Sequence, residues 1–101
     1  MTDKIRLFRL FHGIDWVYIS ETGALFKDKP KSFTGKWLGW DDNGQLKYEI
    51  NYKDGEKHGK WLEWHANGQL AWEENYKDGE RHGKWLEWYE NGQLKYEENY
   101  E

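Results

Sequence analysis

The fold class predicted is all-β: an antiparallel β-meander of stacked β-hairpins forming a single twisted, elongated sheet. Three observations predict it. The text of residues 59–82, GKWLEWHANGQLAWEENYKDGERH, repeats that of residues 35–58 with differences at seven of 24 positions, and returns truncated over 83–101. A fixed period in this range marks a repeat array. Each full unit carries two turn dipeptides, Asn43-Gly44 and Asp54-Gly55, then Asn67-Gly68 and Asp78-Gly79, and the last unit has Asn91-Gly92. Between them run segments of about seven or eight residues, which suit strands and are short for helices.

The organisation expected is one domain: an N-terminal cap segment (1–12), a degenerate first repeat (13–34), repeats at 35–58 and 59–82, and a truncated repeat at 83–101. Residues 1–12, MTDKIRLFRLFH, fit a short strand or one helical turn capping the first strand, since terminal repeats need protection. In 13–34, Trp16, Gly23 and Leu25 fall 21 residues before Trp37, Gly44 and Leu46, so this unit has lost three residues. Residues 15–20 alternate as a strand, 21–23 make a turn, and 27–32, with the only proline, form a loop. From Gly35 onward, Gly44, Gly68 and Gly92 with their preceding asparagines predict type I′ turns, which need positive φ at both central residues. Gly55 and Gly79 mark the second turn of each unit.

Two-residue turns would pair His65 with Leu70, Glu63 with Trp72, Trp61 with Glu74 and Gly59 with Tyr76. Across the other turns they would pair Trp61 with Tyr48 and Trp85 with Trp72. One face then carries a structural aromatic ladder, Trp37, Tyr48, Trp61, Trp72, Trp85 and Tyr96, with Leu46, Leu70, Leu94 and Tyr52, Tyr76, Tyr100. Gly59 opposite Tyr76 leaves room for a ring. The other face carries Trp40, Trp64, Trp88, Leu38, Leu62 and Leu86 beside lysines and glutamates. Turns of this length shift each repeat by two residues, giving a sheared sheet unless a longer loop cancels the shift. A single sheet cannot bury two apolar faces, so the N-terminal segment, a second copy or a partner covers one of them.

The composition excludes several functions. Eight tryptophans and seven tyrosines supply most of the apolar area, and each ring buries about 150–250 Å². Charged residues make up 34% with a formal net charge of −4, which argues against nucleic-acid or anionic-membrane partners. No apolar run reaches the roughly 20 residues of a membrane span. Residues 5–11 are broken by Arg6 and Arg9, so no signal peptide is expected. The absence of cysteine excludes disulfides and thiol chemistry and fits a cytoplasmic setting.

The recurring NGQL turns, the Asn-Tyr-Lys-Asp-Gly segments and the His-Gly junctions at 58–59 and 82–83 resemble the variant MORN repeat of the bacterial YwqK-type antitoxin family. The resemblance covers 33–101. It implies an elongated meandering sheet that works by binding protein. Eukaryotic MORN arrays are linked to phospholipid binding and dimerisation, and this acidic chain lacks a basic stripe for lipid.

No catalytic, cofactor or metal site is expected. His58 and His82 lie one per hairpin without companion ligands and read as hydrogen-bonding turn residues. Glu73 and Glu74 point to opposite faces and cannot act as an acid/base pair. Glu74, on the aromatic face, is expected at the rim or beside a lysine. The lysine column Lys36, Lys60, Lys84 reads as paired to glutamates across strands. The function expected is a non-enzymatic protein-binding module, an antitoxin- or immunity-like protein that neutralises or sequesters a protein partner such as a toxin. Its contact residues are expected to be Trp40, Trp64, Trp88, Leu62, Leu86, His65 and Tyr89. The alternatives are a self-associating scaffold, in which the open last strand supports a homodimer, and a phage or mobile-element inhibitor of a host protein.

Overall fold

The computed structural model describes residues 2–100, with side chains from residue 4 onward. Met1 and Glu101, the outer ends of the first and last segments predicted, lie outside the described residues. A helix, α1 (Thr2–His12), is followed by β1 (Trp16–Ser20), β2 (Leu25–Phe26), β3 (Gly35–Trp40), β4 (Leu46–Lys53), β5 (Glu56–Trp64), β6 (Leu70–Lys77), β7 (Glu80–Arg81), β8 (Gly83–Trp88) and β9 (Leu94–Tyr100). All strands join one antiparallel sheet in the order β2-β1-β3-β4-β5-β6-β8-β9, with β7 paired to β6. From β3 onward this is the meander expected. At the head, β1 lies between β2 and β3, so the loop after β2 carries the chain back across β1.

The N-terminal segment is neither a strand nor a single turn but an 11-residue helix. Ile5, Phe8 and Arg9, spaced as one helical stripe, form its half-buried side, and Leu7, Leu10 and Phe11 are exposed. The amides of Gly13 and Ile14 bond the carbonyls of Leu10 and Arg9, and Gly13 has φ of 65°. That is a Schellman cap.

The two turn classes exchange the roles predicted for them. Asn67 has no positive φ; among the described non-glycine residues only Asp54 and Asp78 do, at 51° and 52°. The Asp-Gly turns are therefore the type I′ turns. At the Asn-Gly turns the Gly68 amide bonds the His65 carbonyl and the His65 amide bonds the Gln69 carbonyl. This is a type I turn closed by a left-handed glycine. Asn67 serves it through its side chain, whose Oδ1 accepts from the Gln69 amide at 2.9 Å, as Asn91 does for Gln93. Asp41 takes this part in the first regular unit, accepting from Asn43 and Gln45. The turn adds one residue to the following strand, so Trp64, not His65, opposes Leu70. Leu46, Leu70 and Leu94 consequently lie opposite Trp40, Trp64 and Trp88, off the aromatic face where they were expected.

The shear expected from two-residue turns is absent, and no longer loop removes it. Next to the Asp-Gly turn, Tyr52 opposes Lys57, but Ile50 opposes Trp61. Two additional residues are thus accommodated in β5 around His58-Gly59, and the same happens around His82-Gly83 between Arg81 and Leu86. Gly59 and Gly83 have φ of 88° and 77°, and a Cβ on Gly59 would meet only the Asn51 Cβ, at 3.8 Å. This glycine is needed for its backbone angle and not, as expected, for room beside Tyr76. Trp61 accordingly faces Ile50 rather than Tyr48, and Trp72 faces Glu87 rather than Trp85.

The His58-Gly59 bulge is tied to the neighbouring unit, and Thr34 makes the equivalent tie one unit earlier. His58 Nδ1 accepts from the Asp78 amide at 3.4 Å, as Thr34 Oγ1 accepts from the Asp54 amide at 2.9 Å. The Gly79 and Gly55 amides bond the carbonyls of Lys57 and Phe33. His58 is thus the hydrogen-bonding turn residue expected.

If Asp78 supplies the left-handed position and Asn67 only a side-chain acceptor, the two tolerate different replacements. Asp78→Gly is expected to leave the urea midpoint unchanged or raised, whereas Asp78→Val costs about 1–2 kcal/mol. Asn67→Ala costs about 0.5–1.5 kcal/mol through its lost hydrogen bond. Equal sensitivity of both positions to valine in urea unfolding would contradict this assignment of turns.

Candidate functional site

With the shear cancelled, equivalent side chains line up across the sheet. One row reads Tyr18, Trp37, Ile50, Trp61, Glu74, with Trp85 opposite Glu98 beyond it. A second reads Tyr48, Glu63, Trp72, Glu87, Tyr96. Both lie on the aromatic face, so the ladder residues share the face expected for them. Rings touch in series: Trp37 and Tyr48 at 6.0 Å, Trp61 and Tyr76 at 6.2 Å, Trp72 and Trp85 at 6.1 Å, Trp85 and Tyr100 at 5.1 Å.

At its Asp-Gly end this face is closed by the chain itself. Phe33, 3% exposed, leaves the β2–β3 loop to sit 5.5 Å from Tyr18 and 5.9 Å from Tyr52. Lys57 Nζ lies 4.5 Å from the Trp61 ring, and the Arg81 guanidinium lies 4.3 Å from Trp85. Each is a cation–π contact. The sequence reading missed this row of cations. Its signal was that this position is basic in both units although its identity changes, Lys57 to Arg81.

Glu74 is 5% exposed. It stands neither at a rim nor beside a lysine: its Oε1 accepts from the Tyr76 hydroxyl at 2.6 Å, and its Oε2 accepts from the Trp72 indole N–H. Glu73 points to the opposite face, where Lys60 reaches it at 2.6 Å. Lys36–Glu49 and Lys84–Glu97 repeat that pair at 3.5 and 3.4 Å, as the lysine column predicts.

The second face is covered at one end only. α1 lies over β1, where Val17 is fully buried, and the Arg9 guanidinium stacks 3.9 Å from the Trp40 ring. Of the contact residues expected, Trp40 is therefore taken up by the helix. Leu62, Trp64, Leu86 and Trp88 continue the same surface, half-buried by their neighbours. His65 Nε2 donates to the Trp88 carbonyl at 2.8 Å, and Tyr89 is 49% exposed beside Leu94, 50% exposed. At the Asn-Gly end a cavity of about 350 Å³ opens between Glu63, Trp72 and Glu87. Sequence reasoning did not find it. Among the described residues no group of His, Asp and Glu is placed to hold a metal ion, and no helix is long and apolar enough to cross a membrane.

An open antiparallel sheet of repeated hairpins, capped at one end, defines a β-hairpin repeat array. The family model described as the MORN repeat variant matches residues 33–54, 57–78 and 81–101. The chain belongs to that family, whose repeats are generally protein- or membrane-binding modules. No curated protein and no solved structure matches the chain.

Burial, then the hydrogen bond to Glu74, pushes the Tyr76 hydroxyl well above its ordinary ionisation range, and burial raises Tyr18 and Tyr52 as well. An unfolded tyrosine ionises near about 10. Below that pH both states keep the proton and this contribution is complete. Above it the unfolded chain loses protons that the folded chain retains, so stability falls. The urea midpoint is expected to drop from pH 9.5 to 11, with a smaller drop in Tyr76→Phe. A midpoint that stays flat over that interval would contradict the burial described.

Proposed function

We propose that this chain is a non-enzymatic, cytoplasmic protein-binding module of the antitoxin or immunity kind, which neutralises or sequesters a protein partner. The contact surface proposed is the face carrying Leu62, Trp64, Leu86 and Trp88, with His65 and Tyr89 at its turn end. One observation carries this reading. α1 covers the repeated surface at Val17 and Trp40 and stops there, leaving two further copies of it among the described residues without a helix above them. Tryptophans at the centre of such a patch are the residues that dominate interface energies. The acidic balance of the chain, −4 overall, suits a basic partner such as a nucleic-acid-directed toxin.

A second reading is self-association. β9 ends the sheet, and its residues 94–99 are exposed, so its outer backbone groups are open to pairing with another strand.

Light scattering across a concentration series separates the two. The proposal expects a concentration-independent monomer of about 12.3 kDa, and a partner captured by the wild type but lost from Trp64→Glu with unchanged circular dichroism. A stable dimer broken by Trp64→Glu would overturn it in favour of the scaffold.

A further inference from the structure

The units of the array differ from one another mainly around one place. The middle unit departs from both neighbours at four positions: His65, Ala66, Ala71 and Trp72 stand where the others have Asp41 and Tyr89, Asp42 and Glu90, Lys47 and Lys95, Tyr48 and Tyr96. All four line the cavity of about 350 Å³ at the Asn-Gly end of the sheet. Two of the changes remove bulk, and one replaces a phenol by a larger ring without a hydroxyl. The invariant Asn-Gly-Gln-Leu of the same turn does not line it.

The neighbouring units show what is missing there. Lys47, on the first strand of one hairpin boundary, reaches Glu63 on the next strand at 3.9 Å, and its Nζ lies 5.6 Å from the Tyr48 ring. Moved by one period of 24 residues, the same pair is residue 71 and Glu87, and residue 71 is alanine. Glu87 is met by Lys95 from the far side at 3.3 Å, but its near side faces the cavity. The lining holds three carboxylates, Glu63, Glu87 and Glu90, against Lys47 alone, with the Trp72 ring between Glu63 and Glu87. The walls are tied together: Asn67 Nδ2 donates to the Glu90 carbonyl and His65 Nε2 to the Trp88 carbonyl, both at 2.8 Å.

We propose that this cavity is a binding site for an alkylammonium group, the side chain of a lysine presented by a protein partner. The ammonium takes the place vacated at residue 71, over the face of Trp72, the best ring for a cation, and pairs with the Glu87 carboxylate. As to the protein source, the inference rests on the reading above. The recognition chemistry does not: Trp64 and His65 belong to both linings, but Ala71, Trp72 and Glu87, which would hold the ammonium, take no part in the surface proposed there.

The test follows the Trp72 indole N–H resonance, assigned by its loss in Trp72→Tyr, while wild type is titrated with Nα-acetyl-lysine methylamide, the norleucine analogue or 1,5-diaminopentane. The expected result is a saturating shift with the lysine probe, with a dissociation constant on the order of 1–10 mM. The norleucine analogue should give none. Ala71→Lys, which restores the residue both neighbours carry, should weaken the lysine probe at least tenfold while leaving the thermal midpoint unchanged or higher. No saturating shift, equal shifts with norleucine, or undiminished binding to Ala71→Lys would overturn the site. Binding of the diamine without the blocked lysine would overturn the lysine source. Because Trp64 lines the cavity, the two readings are separated with Leu62→Glu, which lies outside it: partner capture unchanged in that variant with the titration intact would overturn the contact face and still support the ammonium site.

Discussion

Everything in this sheet depends on the two residues accommodated around each His-Gly junction. A meander of hairpins with tight turns at both ends drifts in register, so equivalent side chains would step diagonally across the sheet. The bulges at His58-Gly59 and His82-Gly83 return the drift at every second strand. Neighbouring antiparallel strands lie about 4.8 Å apart, so equivalent side chains recur every two strands along a straight line. Glycine at the left-handed angle makes the bulge possible. The bond from the Asp78 amide to His58 fastens the first bulge to the next turn, and the bond from the Asp54 amide to Thr34 does the same one unit earlier, just before β3.

Straight rows solve the problem of a chain with almost no conventional core. Among the described residues only Val17, Phe33 and Trp85 are buried hydrophobics, and the molecule is only 18 Å through its thinnest direction. No second layer covers the aromatic face. Its rings instead lie against one another diagonally, from one row to the next across neighbouring strands, with Lys57 over Trp61 and Arg81 over Trp85. Hydrophobic contact is gained laterally, strand to strand, and each unit needs its neighbours, as in other quasi-linear arrays. The head is the exception. There α1 seals one face over Val17 and Phe33 seals the other, so the first unit, degenerate in sequence, is the best covered.

The period, the strand spans and the division of residues between faces were legible in the sequence, and the reason is parity. A bulge of two residues leaves every side chain on its face, so Trp61, Trp72 and Trp85 belong where alternation puts them although their partners are wrong by two. The one-residue bulge at the Asn-Gly turn does change faces, and Leu46, Leu70 and Leu94 were misplaced for that reason. The turn types were misread because Asn-Gly favours a type I′ turn on statistics, while here the asparagine works through its side chain. The helix was legible in part: Gly13 after the basic last turn of Arg9 and His12 is a stop signal. Its apolar residues on two sides hid the stripe that faces the sheet. Glu74 was beyond reach, since its two donors come from Trp72 and Tyr76 on its own strand and only the conformers of those rings bring them together.

Repetition sets a further constraint on what such a surface can do. Straight rows present any feature of one unit again two strands away, so a partner meeting an unmodified array would find several equivalent registers. Two departures break that equivalence here. α1 claims the first copy of the Leu-Trp surface by placing Arg9 on Trp40. The middle unit replaces Lys, Tyr and an acid by Ala71, Trp72 and Ala66, opening one cavity where its neighbours are filled. The first departure leaves two copies of the apolar surface, and the second distinguishes one position on the other face. Specificity is a difference between alternatives, and in an array the nearest alternatives are the molecule's own other units. A position that binds in one register only must therefore be built from the residues at which the units differ, and those are the residues gathered around Trp72.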